Sequence, residues 1–227
     1  MKVQVIVPAG GTGERMNALL PKPLLVLGGA PVVIHTLKVF EAHPQVAGVI
    51  LVVHKDHIGR YQEVVKAAGL KKVVRIVPGG VTRTQSVRIG MSCLDSDTDM
   101  VMVHDAVRPL VTVRMIDDGL SLALKERAVV AAVPVKPTLK VVDPKTGIVA
   151  ETLDRSLVWE IQTPQIFERK LFEKAYANDT EATDDAGMVE KLGVAVRVFM
   201  GSYRNIKITT PEDLDVAGLF LKTGEVS

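Results

Sequence analysis

Short runs rich in valine and isoleucine recur along the chain, at Val3–Val7, Val49–Val53, Val73–Val77, Met100–Val103, Val129–Val133 and Ala195–Phe199. Between them lie segments of helical periodicity: Pro31–Glu41, Ile58–Ala68, Thr84–Leu94 and Val113–Lys125. The runs are apolar at almost every residue, as expected of strands buried on both faces, and their alternation with helices is the pattern of βαβ units. Only 4% of residues are aromatic although 47% are hydrophobic, so the core must be built from Val, Leu, Ile and Ala.

The predicted class is therefore α/β: a Rossmann-like open, mostly parallel sheet flanked by helices. No repeat, low-complexity tract or linker-like change of composition interrupts it, so residues 1–227 read as a single domain. Pro31 suits the first turn of its helix, where a missing N–H does no harm. Thr210-Pro211-Glu212-Asp213 is a helix start: a cap, a proline and early acidic residues. One segment breaks the rhythm. Residues 136–155 hold two short β-prone stretches around Asp143-Pro144-Lys145-Thr146-Gly147, which predicts a projecting β-hairpin arm. Two strands alone are marginal, so the arm should dock either on a second subunit or on the edge of its own chain.

Bulk charge limits the partners. With 28 basic and 26 acidic residues the net charge is +2, too little for a general attraction to nucleic acid or an anionic membrane. Any bound anion must be held by local geometry. The single cysteine, Cys93, excludes an internal disulfide framework and suits a reducing compartment. The apolar run opening the chain is too short for a signal-peptide core and leads into a glycine loop. These features predict a cytoplasmic protein with no membrane or nucleic-acid partner.

The residues that point to chemistry follow strand ends. After the first strand comes Pro8-Ala9-Gly10-Gly11-Thr12-Gly13-Glu14-Arg15-Met16, whose small residues let backbone amides approach and cradle phosphates. Arg15 follows, then Lys22 within Leu20-Pro21-Lys22-Pro23, where prolines stiffen the approach of the ammonium. The loop fails as a dinucleotide fingerprint, because Met16 stands where a third small residue belongs, which disfavours a nicotinamide oxidoreductase. It is not a Walker loop either. After the third strand, Gly79-Gly80-Val81-Thr82-Arg83-Thr84-Gln85-Ser86-Val87 allows close backbone approach to a base, with donors at Thr82, Arg83 and Ser86. Taken alone, it is equally an ordinary capped turn.

His104-Asp105-Ala106-Val107-Arg108-Pro109 follows the fourth strand. Asp105 at a strand's carboxyl end is placed to hold Mg²⁺ bridging phosphate oxygens. Arg108 would contact phosphate or, the favoured reading, lock Asp105 by an ion pair; His104 reads as packing rather than a ligand. Thr138 and Arg155 flank the arm, Thr183-Asp184-Asp185 opens a helix with Thr183 as its cap, and Arg204-Asn205-Ile206-Lys207 adds two cations. His35, His43, His54 and His57 show no metal-ligand spacing. Cys93 reads as packing.

In their order these blocks resemble one family. PAGGTGERM, PKP, GGVTRTQSV, HDAVRP, TPQ at Thr163-Pro164-Gln165, TDD and NIKIT follow one another as in the 2-C-methyl-D-erythritol 4-phosphate cytidylyltransferases, across roughly Val3 to Leu221. The resemblance implies transfer of a cytidylyl group from CTP to methylerythritol phosphate, with release of pyrophosphate, in non-mevalonate isoprenoid synthesis. It implies that Arg15 and Lys22 stabilise triphosphate charge and that Asp105 holds Mg²⁺. Ala9, Gly10, Gly80 and Ser86 would contact cytidine, while Gly11 and Gly13 complete the nucleotide loop. Thr138, Arg155 and Lys207 would position the acceptor phosphate, Thr138 and Arg155 by reaching across a homodimer. The chain departs from the family at Pro23, where Gln is common. Ribitol-5-phosphate cytidylyltransferases share nearly all these blocks, so a different phosphorylated sugar alcohol is the alternative acceptor; a non-catalytic nucleotide-binding module is the alternative of another class.

Overall fold

The computed structural model describes residues 1–11, 20–177 and 182–223. The chain opens with β1 (Val3–Ala9), a small hairpin of β2 (Val26–Leu27) and β3 (Ala30–Pro31), and α1 (Val32–Ala42). Then come β4 (Val46–Val53), α2 (Ile58–Ala67), β5 (Val73–Pro78), α3 (Arg83–Ser92), β6 (Met100–Val103), α4 (Val113–Glu126) and β7 (Ala128–Pro134). The arm is β8 (Lys140–Val142) with β9 (Val149–Thr152), and the chain ends with β10 (Trp159–Glu168), α5 (Arg169–Tyr176), α6 (Asp185–Glu190), β11 (Arg197–Met200) and α7 (Pro211–Lys222).

Alternation along each strand decides the layering, because successive side chains point to opposite faces. Val3, Val5 and Val7 of β1 and Val49, Leu51 and Val53 of β4 face one way, onto Leu37 and Phe40 of α1, Tyr61 of α2 and Ile116 and Leu120 of α4. Ile6, Ile50 and Val52 face the other way, onto Val87 of α3, Phe172 of α5 and Val189 of α6. Both faces are covered, which is why these strands carry few polar residues. A smaller cluster of Leu27, Val32, Leu110, Ile208 and Ala217 fastens α7 and the segment before it to the body. Removing Phe40 from the larger layer would cost about 3–5 kcal/mol by loss of transfer energy and the cavity left.

The seven-stranded sheet has the order β11-β7-β10-β6-β1-β4-β5. Its pairs are parallel except those of β10, which runs antiparallel to both β6 and β7. The chain passes from β1 outward to β4 and β5, then returns to β6 on the other side of β1. The carboxyl ends of β1 and β6 therefore flank the switch point, where open α/β sheets place their ligands.

The predicted strands and helices all form, with small boundary differences. Pro31 is the N-cap of α1 rather than a first-turn residue, with extended backbone, and it pairs with Val26 in the small hairpin. The last strand lies at Arg197–Met200 rather than Ala195–Phe199, because it pairs β7 from Val129 onward. Asp184, not Thr183, caps α6: its carboxylate accepts from the Gly187 amide at 3.0 Å. The strand that periodicity misses is β10. Its sequence WEIQTPQIFE mixes polar residues and a proline into a central strand, and its ladder to β7 is broken between Ile161 and Gln165. The polar residues in that break serve the site rather than the core.

The arm forms as a separate two-stranded sheet whose β8 and β9 residues are exposed throughout. Asp143 organises its turn: its carboxylate accepts from the Lys145 amide and its carbonyl from the Gly147 amide, with Gly147 at a φ of 70° that disfavours other residues. No described helix is long and apolar enough to cross a membrane.

Candidate active site

Three strand ends, one returning loop and the Pro21–Pro23 turn meet at a cavity of about 370 Å³. Strand β1 delivers Ala9 and the Gly10–Gly11 backbone, the β5–α3 turn delivers Gly80 and Ser86, and β6 delivers Asp105. The segment before α7 delivers Lys207 and Thr209, and the Pro21–Pro23 turn delivers Lys22. Arg15 and Gly13, predicted for the same loop, lie outside the described residues.

The β5–α3 turn is shaped by its own side chains. Thr82 caps α3 by accepting from the Gln85 amide at 3.1 Å while Gln85 Oε1 accepts from the Thr82 amide at 3.4 Å, a reciprocal capping box, and the same Oε1 accepts from the Val81 amide at 2.9 Å. Ser86 Oγ donates to the Thr82 carbonyl at 3.0 Å and receives the Gly80 amide at 3.2 Å. A Cβ on Gly80 would fall 2.4 Å from Cβ of Gln85. Only glycine lets this turn close down while leaving its outer edge open to a flat ligand.

Lys22 begins a one-turn helix, Lys22–Leu24, framed by Pro21 and a buried Pro23. Its ammonium donates to the Thr209 carbonyl at 2.9 Å. Thr209 is fixed in turn by Asp213, whose Oδ2 accepts from the Thr209 amide and hydroxyl and from the Thr210 amide at 2.7–2.9 Å. The capping residues of α7 thus set the height of Lys22 in the cavity. Buried Ile208, held by its amide to the Val107 carbonyl, leaves Lys207 and Thr209 facing outward on either side.

Asp105 is the centre of a polar wall. Lys207 Nζ lies 3.0 Å from its Oδ2, Arg108 Nε 3.5 Å from the same oxygen, and Arg83 Nε 3.5 Å from Oδ1. Burial pushes the Asp105 carboxyl up, but Lys207, Arg83 and Arg108 more than reverse this and hold it well below the usual carboxylate range. It stays ionised. Arg108 is locked as an ion-pair partner, and it also donates to the Asn205 carbonyl at 2.7 Å.

His104 is inaccessible and serves as packing with two bonds. Its Nε2 faces the Arg108 carbonyl at 3.1 Å, and a carbonyl only accepts, so the proton is on Nε2. Nδ1 then accepts from the Thr163 hydroxyl at 3.0 Å, and Thr163 Oγ1 accepts the Asp105 amide at 3.1 Å. Burial pushes the imidazole down to about 4. A strand-to-strand relay from β10 therefore orients the Asp105 backbone.

A second cavity of about 400 Å³ lies beyond the wall, reached by Thr163, Gln165 and Asp184, and it shares Arg83, Asp105 and Lys207 with the first. The arrangement offers two compartments separated by one ionised carboxylate and three cations.

The structure does not bring Thr138 and Arg155 to this place. Both are exposed near the base of the arm, and Arg155 donates to the Lys136 carbonyl at 3.0 Å. Conversely, Thr163, Thr209 and Asp185 join the wall or its supports although sequence reasoning gave them no site role, and Arg83 stood only as a donor at a helix end. Their signal was weak: Thr209 and Asp185 stand beside helix starts, where such residues read as caps, and Thr163 lies in the strand that periodicity misses.

The family model described as 2-C-methyl-D-erythritol 4-phosphate cytidylyltransferase matches residues 3–223. A protein of that name from Syntrophus aciditrophicus is 42% identical, covering 99% of this chain and 97% of the relative. One from Alkaliphilus metalliredigens is 44% identical, covering 94% and 90%. The crystal structure of 4-diphosphocytidyl-2C-methyl-D-erythritol synthase from Anaerococcus prevotii superposes with a TM-score of 0.84 at 31% identity, covering 97% of this chain and 98% of that one. The chain belongs to the 2-C-methyl-D-erythritol 4-phosphate cytidylyltransferase family.

Proposed function

We propose that the chain joins CTP to 2-C-methyl-D-erythritol 4-phosphate, giving CDP-methylerythritol and pyrophosphate. The observation that carries this reading is the wall shared by two adjoining cavities, Arg83, Asp105 and Lys207. A transfer between two phosphorylated molecules needs such a place, where anions meet and repulsion is offset. The glycine-lined cavity takes the nucleotide, with Ala9, Gly10 and Gly80 against the base and Lys22 at the phosphates. The cavity beyond the wall takes the acceptor, whose phosphate meets Lys207.

The chemistry asks little covalent work of the protein. A phosphate oxygen of the acceptor, already anionic near neutral pH, attacks the α-phosphorus of CTP. The bond from that phosphorus to the bridging oxygen breaks, and its electron pair leaves with pyrophosphate. Lys22 and Arg15 neutralise charge that grows on the transferring and leaving groups, while the wall fixes the line of attack.

The donor set at Asp105 suits Mg²⁺. Its carboxylate is ionised, and it is the one carboxylate among the described residues that line the glycine-lined cavity. Mg²⁺ typically takes one or two carboxylates and completes its shell with substrate phosphates and water, rather than a protein cage. Bound there, it would neutralise triphosphate charge.

The exposed arm supports a homodimer in which Thr138 and Arg155 of one subunit reach the acceptor phosphate of the other. Matching relatives carry the methylerythritol name, which favours that acceptor over ribitol 5-phosphate. A pyrophosphate-release assay crossing CTP, UTP, ATP and GTP with the two acceptors tests the reading. Turnover should be fastest with CTP and methylerythritol phosphate; faster turnover with ribitol phosphate, or none with CTP, would overturn it.

A further inference from the structure

Behind the wall stands a carboxylate that lines neither cavity. Asp185 opens α6 and is fully buried. Because Asp184 supplies the helix cap, the Asp185 carboxylate is left to point inward. One oxygen accepts from Nη2 of Arg83 at 2.6 Å, and the other receives the hydroxyl of Tyr176. The same Arg83 guanidinium turns its Nε to Asp105 at 3.5 Å and lines both cavities.

We propose that Asp185 is a positioning residue for cytidylyl transfer, fixing one end of the Arg83 guanidinium so that the other end holds Asp105 in the wall. The inference rests on the cytidylyltransferase reading of the site.

Stability alone is a poor reason for this arrangement. Burying a carboxylate against a guanidinium recovers little more than its desolvation cost, and apolar replacements of similar volume are often as stable. What the pair gives is geometry. Arginine carries donors on a rigid fork and can serve two carboxylates at once, which a lysine ammonium on a flexible stem does less well. The exposures fit a bracket: the Arg83 side chain is 30% accessible, that of Asp105 10% and that of Asp185 0%, so the anchor is inside and the working end outside. Tyr176 completes it. Burial, then the adjacent Asp185 charge, hold its phenol far above the usual range, so it remains a donor and fixes the carboxylate's rotamer. Without the anchor, Arg83 is free to collapse onto Asp105 or onto an incoming phosphate.

A double-mutant cycle with Arg83→Lys tests this by reading kcat, both KM values and the melting temperature. Asp185→Asn should lower kcat about 10–100-fold, as loss of a supporting partner behind an active group commonly does, with the KM for CTP nearly unchanged. In the Arg83→Lys background, where the bracket is already broken, the same change should cost about twofold or less. Equal losses in the two backgrounds would overturn the proposal. So would a lower melting temperature with kcat of the folded protein unchanged. If Asp185→Asn does not fold, Tyr176→Phe replaces it: a kcat loss that vanishes beside Arg83→Lys supports the bracket, and additive or absent losses overturn it. Wild-type enzyme that releases no pyrophosphate would instead sink the cytidylyltransferase reading itself.

Discussion

The wall around Asp105 and the arm at residues 136–155 are built on opposite logic. In the wall, charges are buried and answered from within the chain: Asp105 by Lys207, Arg83 and Arg108, and Arg83 by Asp185. In the arm, β8 and β9 expose both faces, and Val141, Val142, Ile148 and Val149 stand in solvent. A region that satisfies its own polar groups is preorganised and needs only its ligands. A two-stranded ribbon with apolar residues outward is incomplete and needs a surface. On the proposed homodimer, the candidate site divides into a part this chain finishes alone and a part that a second copy would complete.

That division makes unequal predictions. The largest effect belongs to the wall side. Lys22→Ala should lower kcat by about 10³-fold, the scale of a lost charge contact in phosphoryl transfer, with the melting curve unchanged. Steady-state kinetics on folded protein check it, and near-normal kcat would remove Lys22 from the chemistry.

The arm should behave differently. Arg155→Ala is expected to raise the KM for the acceptor about tenfold, the scale of a lost charged hydrogen bond, while leaving that for CTP alone. Mixing it with Lys22→Ala sharpens the contrast. At acceptor concentrations well below KM, where Arg155→Ala sites are slow, exchanged arms would leave half the dimers as hybrids with one intact site, so the mixture should reach about a quarter of wild-type activity. A mixture no more active than its parts would place the arm back on its own chain.

A further effect, on stability rather than turnover, concerns His104, beneath the wall. Its folded value near 4 lies below the ordinary 6.5, so the unfolded chain takes up the proton first. The stabilisation is present above about pH 6.5 and is lost as pH falls toward 4, a contribution of about 3 kcal/mol. Melting temperatures between pH 7 and 5 should fall more steeply for wild type than for His104→Gln. Parallel slopes would show that His104 does not carry this dependence.

The sequence made the wall's frame legible because strand ends in α/β proteins are marked twice, by apolar runs that stop and by glycines or charges that follow. Ala9, Gly80, Asp105 and Lys22 were found that way. β10 was not, since Gln162, Thr163 and Gln165 break the apolar run that would have announced a strand. Their polarity comes from work at the site: Thr163 orients Asp105, and Gln165 bonds Asp184 and the Ala186 amide. Asp185 was hidden for another reason. Beside Asp184 at a helix start it looked like part of a cap, and only the packing of α6 against α3 shows it turned toward Arg83. The proposed reach of Thr138 and Arg155 would depend on a second chain, which the pattern of one does not encode.

A crystal structure with CTP and Mg²⁺ bound tests the central claim most directly. The triphosphate should lie in the glycine-lined cavity with an α-phosphate oxygen within hydrogen-bond reach of Lys22 Nζ, about 3 Å, and Asp105 facing it. Phosphates lodged elsewhere, for instance in the hollow at the opposite end of the central strands lined by Asp97, Arg127 and Arg169, would contradict it.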